Sequence, residues 1–220
     1  MHVLLDLDGT LIDPRAGLIG SIQYALAQLG QPVPPAGDLL WMIGPPLRLS
    51  FPQLLGRQDL TELAIAHYRE HYFAGGMYDA VVYAGIPEAL EQLCAAGCRL
   101  ILATSKPHHY ARPILQHFAL APRFAAIHGP ELDGRHDAKT DLLAHILAEH
   151  KLDPPTAIMV GDRKFDVAAA NSHGIASIGA AWGYGSIAEL RAAGAASICD
   201  APCHLAPLIL AAARSSAPAA

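Results

Sequence analysis

The sequence predicts an α/β protein, a doubly wound parallel sheet carrying an inserted small helical domain. Three observations point there. Apolar strand-like runs alternate with helical patterns five times, which argues a parallel sheet covered on both faces. Between residue 14 and about residue 75 that alternation stops, and only helices and turns are legible. Polar residues follow the last apolar residue of successive strands: Asp6 and Asp8, then Thr104 and Ser105, then Asp162. In open parallel sheets ligands bind at the carboxyl ends of strands, so these residues are expected to share one crevice.

The elements follow in order. Val3 to Leu5 is an apolar run ending in two acids, Asp6 and Asp8. Asp13-Pro14 breaks the chain. Residues 16 to 29 place Leu18, Ile22, Ala25, Leu26 and Leu29 along one helical side, and Gly30 stops them. Gln31 to Asp38 is proline-rich and predicts a loop, and Gly44-Pro45-Pro46 forces a bend. Phe51 to Leu55 and Thr61 to Phe73 predict helices, the second with an early acid at Glu62. After Val81-Val82-Tyr83, a helix runs from Gly85-Ile86-Pro87 through Ala96. Strands follow at Arg99–Ala103, Phe124–His128, Thr156–Val160, Ala176–Gly179 and 196–199. Helices are expected at 108–118, 139–150, Phe165–Asn171, Ser186–Ala193 and about 205–213. The domains are then a core of residues 1–13 and 83–214, an inserted helical module of residues 14–82, and a disordered tail of residues 215–220.

Composition narrows the function. The 220 residues are 52% hydrophobic and 16% charged, which suits a compact fold. The net charge is −5 and no basic run occurs, which argues against nucleic acid or an anionic membrane as partner. A strand begins at residue 3 where a signal peptide would lie, and no apolar stretch reaches the roughly 20 residues of a membrane helix. Cys94, Cys98, Cys199 and Cys203 lack tight metal-binding spacing and are expected to be free thiols in a cytoplasmic protein.

The chemistry starts at Asp6 and Asp8. In a strand, i and i+2 share a face, so the two carboxylates repel and lose solvation together. Asp162 and Asp166 add two more acids at helical i, i+4 spacing. Such an oxygen-only cluster calls for a hard divalent cation, Mg2+ rather than zinc. The chain has only four lysines: Lys106, Lys139, Lys151 and Lys164. Lys139 begins a helix after the polar loop Gly129 to Asp137, a position that suits an anion site. Lys106 follows Thr104-Ser105, where a strand-to-helix turn can aim it at solvent. Lys139 is the preferred partner.

Asp6-Leu7-Asp8-Gly9-Thr10, Thr104-Ser105-Lys106, Lys139 and Gly161-Asp162 with Asp166 resemble the four ordered motifs of the haloacid dehalogenase (HAD) superfamily of phosphohydrolases, across residues 3 to 170. The insert lies between the first and second motifs, as in members with a helical cap of the first type on a HAD-like Rossmannoid core. Ile43 to Leu47, Gly129 to Gly134 and Gly183-Tyr184-Gly185 resemble the phosphoglycolate phosphatase and 5′-nucleotidase-like branch. The resemblance implies a Mg2+-dependent phosphomonoesterase acting on a small-molecule phosphate ester. Asp6 would be the nucleophile and a metal ligand. Asp8 would be the acid/base and would lend its main-chain carbonyl to the metal. Asp162 and Asp166 complete the metal set. Thr104, Ser105 and Thr10 would contact substrate, and Lys139 would neutralise charge.

Other chemistries on this scaffold fit less well. A dehalogenase would not need an acid at Asp8. A phosphonate hydrolase of this family uses a cap lysine, and residues 14–82 contain none. Mutases of the family carry a histidine soon after the first motif, and Asp13 to Gln23 has none. A sugar-phosphate mutase and a non-catalytic phosphate-binding module remain the alternatives. Within the cap, Arg48 beside the Gly-Pro-Pro bend could reach a substrate carboxylate or second phosphate. His67 and His71, His108 and His109 fit surface histidines, and Trp41 and Met42 fit cap packing. Monomer and homodimer both stay open.

Overall fold

The structure of the protein is a computed structural model that describes residues 1–215. Strand β1 (His2–Leu5) leads into a short strand β2 (Ile12–Asp13), and helices α1 (Arg15–Gln28), α2 (Leu47–Leu55) and α3 (Thr61–Phe73) follow. Strand β3 (Val81–Val82) returns the chain to the core. There α4 (Ile86–Ala95), β4 (Arg99–Ala103), α5 (His108–His117), β5 (Phe124–His128), α6 (Lys139–His150), β6 (Ala157–Gly161), α7 (Lys164–Ser172), β7 (Ala176–Ala180), α8 (Ile187–Ala192), β8 (Ser197–Cys199) and α9 (Leu205–Ser215) succeed one another. The expected strands all form, within a residue or two of their predicted bounds. Of the tail expected from residue 215, Ser215 closes α9 and the rest lies outside the described residues.

Six strands form one parallel sheet in the order β5-β4-β1-β6-β7-β8. Strand β1 is central, and connections go to one side first and then to the other. The order therefore reverses between β1 and β6, where a crevice must open because neighbouring connections leave in opposite directions. Both faces are covered, for a reason visible in β1. Val3 and Leu5 join one apolar cluster, and Leu4 between them joins the other. The first cluster packs against α4, α5 and α9 and continues into the insert; the second is closed by Leu142, Leu143 and Ile146 of α6 with Ala169 and Ala170 of α7. Each such fully buried leucine contributes about 1.5–3 kcal/mol.

Register sets the site. Leu5 pairs with Leu102 on one side and Val160 on the other. Asp6 therefore stands level with Ala103 and Gly161, the last residues of β4 and β6, and Thr104 and Asp162 follow one residue further at the same edge.

Two short strands form the neck of the insert, with Ile12 opposite Val82 and Asp13 opposite Val81 in an antiparallel pair. Helix α2 starts at Leu47, earlier than the expected Phe51. Pro46 stands at its N-cap, and Pro52 is accommodated inside the helix at the loss of one backbone donor. The stretch expected as loop up to Asp38 instead winds into a 3-10 turn over Ala36–Met42.

Helix α1 lies tightly against the 3-10 turn Gly76–Tyr78. A Cβ on Gly17 would stand 1.8 Å from the Gly76 carbonyl oxygen, and the Gly17 N–H donates to Asp79 O at 2.9 Å. Gly17→Ala is expected to lower stability by about 1–3 kcal/mol, measured by urea unfolding. Gly20→Ala in the same helix, whose methyl would meet only His71 at 3.6 Å, is expected to be neutral or to stabilise by up to ~1 kcal/mol.

Candidate active site

After β1 the backbone curls rather than continuing straight. The Leu7 carbonyl accepts from the N–H groups of Thr10, Leu11 and Ile12, and the Gly9 N–H donates to Ile12 O at 2.8 Å. Gly9 has φ +80°, and a side chain there would stand 2.2 Å from Asp162 Oδ2. The curl therefore needs glycine twice over, for its left-handed backbone and for close approach. It brings Asp6 and Asp8 together with Asp162 and Asp166 at the mouth of the crevice. All four are buried.

Lys139, at the first turn of α6, donates to Asp6 Oδ1 at 2.9 Å and lies 2.7 Å from Asp166 Oδ1. Burial alone would lower its pKa, but the Asp166 and Asp6 carboxylates outweigh that and hold it above its ordinary value. Lys106 is just as close to its own acid, with Nζ 3.0 Å from Asp8 Oδ2. The turn after β4 does not aim it at solvent. Its N–H donates to Thr104 Oγ1 at 3.2 Å, and its side chain runs under Tyr72 of α3, whose hydroxyl it contacts and over whose ring it sits at 4.7 Å. The cap aromatic covers the cation, which a reading of β4 and α5 alone could not foresee. Lys151 and Lys164 are exposed.

The charges do not balance. Four buried carboxylates face two ammoniums, Lys106 and Lys139, which leaves two negative charges. Burial, then the Asp6 and Asp166 charges, push the Asp162 carboxyl well above its usual range. Burial also raises Asp166, against the pull of Lys139. Lys139 and Asp166 both rise because one ammonium serves several anions: it gains from each, while each anion has only a share of it. Burial raises Asp8 as well, with Lys106 opposing.

Oxygens of Asp6, Asp162 and Asp166 lie within 4.8 Å of one another, and Asp8 Oδ1 is buried without a hydrogen-bond partner. An all-oxygen, doubly negative, desolvated cluster fits one hard divalent cation. Those three carboxylates could hold it.

Thr10 is fully buried, and its hydroxyl donates toward Asp162 Oδ1 at 3.4 Å, so it orients a carboxylate from behind. Thr104 is buried at the end of β4, and Ser105 lines the cleft with Asp8 and Lys106. The cap supplies the opposite wall through Leu18, Met42, Arg48, Tyr68, Arg69 and Tyr72. Arg48 stands over the cleft but is already engaged. It donates to Glu62 at 2.9 Å, to Asp137 at 3.2 Å and to the Leu132 carbonyl at 3.4 Å. Arg69 reaches the same carbonyl at 3.0 Å.

Several contributors were not singled out from the sequence. Tyr184 donates its N–H to Asp162 Oδ2 at 2.7 Å and its hydroxyl to Asp13. Trp182 donates to the Thr10 carbonyl at 3.0 Å. Arg163 joins the core to the cap, donating to Glu189 at 3.0 Å and to the Ile43 carbonyl at 2.6 Å. Only Gly183-Tyr184-Gly185 offered a sequence signal, as a motif. His71 is paired with Ser21 at 3.0 Å and His67 with Glu70 at 3.5 Å, so they do not act as a pair. All four cysteines are free, and no helix among the described residues is long and apolar enough to cross a membrane.

Residues 3–180 match the family of haloacid dehalogenase-like hydrolases. A 5′-nucleotidase of Pseudomonas aeruginosa is 45% identical over 192 residues, 87% of either chain. A protein of Mycobacterium tuberculosis named tyrosine-protein kinase PtkA is 40% identical over 83% of this chain and 62% of its own. A plasmid-encoded phosphoglycolate phosphatase of Cupriavidus necator is 32% identical over 90% of this chain and 88% of its own. Among solved structures, a predicted phosphatase from Clostridium acetobutylicum superposes with a TM-score of 0.92, at 38% identity over 96% of this chain and 98% of its own.

The raised carboxyls make a testable stability signature. A carboxyl whose folded pKa lies above its unfolded value favours the fold when protonated, and that contribution is lost as pH rises through the folded value. Asp162→Asn removes the buried charge while its amide can still accept from Tyr184 and donate to Thr10. In chelator at pH 8 the variant is expected to melt higher than the wild type, by roughly 2–4 °C per kcal/mol gained. The gain should vanish as pH falls towards the unfolded carboxyl value near ~3.9.

Proposed function

The chain belongs to the haloacid dehalogenase-like hydrolase family, and from that premise we propose that it is a Mg2+-dependent phosphomonoesterase hydrolysing a small-molecule phosphate ester. The observation that carries the proposal is the cluster of four buried carboxylates with only two ammoniums, at the reversal point of the sheet. Such a cluster repels an anionic substrate unless a cation joins it. Asp6, Asp162, Asp166 and the Asp8 carbonyl would hold Mg2+, which when bound would neutralise charge on the phosphoryl group.

The residues then divide the work. An Asp6 oxygen attacks phosphorus, and the bond to the ester oxygen breaks, forming an aspartyl phosphate. Lys139 holds the other end of the balance, binding Asp6 Oδ1 and compensating its charge. Asp8 gives its proton to the departing ester oxygen. Its burial favours the protonated form that this step requires. Water then loses a proton to Asp8 and attacks phosphorus, releasing phosphate and restoring Asp6. Thr104 and Ser105 stand where phosphoryl oxygens would be received.

The cap closes the site against water. Tyr72 over Lys106, Arg48 and Arg69 on the Leu132 carbonyl, and Arg163 on Ile43 O are contacts that opening would break. The neck of β2 and β3 is the hinge of this motion, which admits substrate and frees product. A nucleoside 5′-monophosphate is the favoured ester, on the strength of the 5′-nucleotidase relative at 45% identity.

The direct test is turnover of p-nitrophenyl phosphate and of a panel with adenosine 5′-monophosphate and 2-phosphoglycolate. Asp6→Asn is expected to abolish turnover, and chelation to suppress it until Mg2+ is restored. Wild-type turnover by either would refute the proposal. A higher kcat/KM for 2-phosphoglycolate than for the nucleotide would reassign the substrate alone.

Lys106 has its own signature. Its charge lowers the Asp8 pKa, so Lys106→Met is expected to raise it. The limb of the kcat profile that reports the Asp8 proton should then move to higher pH. An unmoved limb would separate Lys106 from Asp8 function.

A further inference from the structure

Beyond the crevice, one group of metal-binding side chains is left unused. His128 ends β5, an edge strand of the sheet, and faces helix α6. From that helix come His145 and Glu149, at the i, i+4 spacing of one helix face, and His150 beside them. His128 Nε2 and His150 Nε2 are 2.8 Å apart, and His145 Nε2 is 3.0 Å from Glu149 Oε2. Glu149 Oε1 lies 4.0 Å from His128 Nε2 and 3.9 Å from His150 Nε2. Ligand atoms of His128, His145 and Glu149 all fall within 4.8 Å of one another.

We propose that His128, His145, Glu149 and His150 form a second cation site, distinct from the acidic crevice, for a borderline divalent transition metal of the Zn2+ class. The donor set makes the choice. Imidazole nitrogens with one carboxylate suit zinc-like ions, whereas the all-oxygen crevice suits Mg2+. A tetrahedral ion with bonds of about 2.0–2.1 Å would draw these atoms together, closing the gaps of 4.0 and 3.9 Å between Glu149 and the imidazoles of His128 and His150.

Two features favour a metal over a plain hydrogen-bonded cluster. The histidine side chains at the centre are mostly buried, His128 at 12% and His150 at 11% exposed, while His145 at 41% and Glu149 at 48% leave a way in from solvent. In the contact between His128 and His150 only one Nε2 can carry the hydrogen. Binding through both nitrogens needs that ring in its other tautomer, with the proton on Nδ1, and no further group.

A metal there would join β5 to the helix that carries Lys139 at its other end. The site would thus brace α6 without taking part in phosphoryl chemistry.

The test uses the full chain in excess Mg2+, which occupies the crevice. Zn2+ is titrated by calorimetry, and Co2+ is added in parallel to read the visible bands of tetrahedral nitrogen coordination. About one equivalent of Zn2+ is expected to bind and to raise the melting temperature. His145→Ala and Glu149→Gln, both at exposed positions that should leave the fold intact, are each expected to weaken binding by about tenfold or more. Asp162→Asn is expected to leave it unchanged. Zn2+ binding that persists in a His145→Ala, His150→Gln double variant, or that disappears in Asp162→Asn, would overturn the proposal. So would Co2+ spectra lacking the tetrahedral bands.

Discussion

The constraint on which this structure turns is the concentration of negative charge at the reversal point of its sheet. Four carboxylates are taken out of water within a few residues of two adjacent strand ends, those of β1 and β6. Each would prefer solvent, and each raises the cost of the others. Lys139 answers two of them, Asp6 and Asp166, and Lys106 answers Asp8. Removing one partner from a buried pair of this kind typically costs about 3–5 kcal/mol, because the remaining charge is stranded. Much of the surrounding architecture serves to hold these charges: the curl at Gly9, the Thr10 hydroxyl and the Tyr184 N–H all meet Asp162.

The same constraint explains the cap. A charge cluster open to bulk water would be screened and weak, and a covered one acts at low dielectric. The insert covers it with aromatic side chains and ties itself down through arginines. Tyr68 and Tyr72 stack at 5.2 Å, and Tyr72 meets Tyr110 of the core edge-on at 5.4 Å. Arg48, Arg69 and Arg163 each end on a main-chain carbonyl across the boundary. These arginine contacts are polar and lie beside the apolar cluster that continues from the core into the insert.

The two lysines show how far linear reading extends. Lys139 was legible because it opens a helix after a polar loop, a position that alone suggests an anion partner. Lys106 was not, because its direction depends on Tyr72, a residue 34 positions away on the cap. Arg48 was legible as a cationic side chain over the cleft. Its partners Glu62, Asp137 and Leu132 were not, since they come from two separate parts of the chain. The histidines of α6 carried no motif at all. Their grouping appears only when β5 brings His128 against them.

By itself the sequence determined the strand order in the chain, the parallel two-faced sheet, the helical insert and the acids at the strand ends. These are local or periodic properties: apolar alternation specifies strands, helical spacing specifies faces, and residues after the last apolar position lie at a carboxyl edge. Only the tertiary structure decided which charge faces which, that the cap covers Lys106, and that Thr10 supports Asp162 from behind. Those depend on distances between segments far apart in the chain, set by strand register and by packing of the insert on the core. In a buried site such distances determine the electrostatics, because interaction energy changes steeply over a few ångströms where water is excluded.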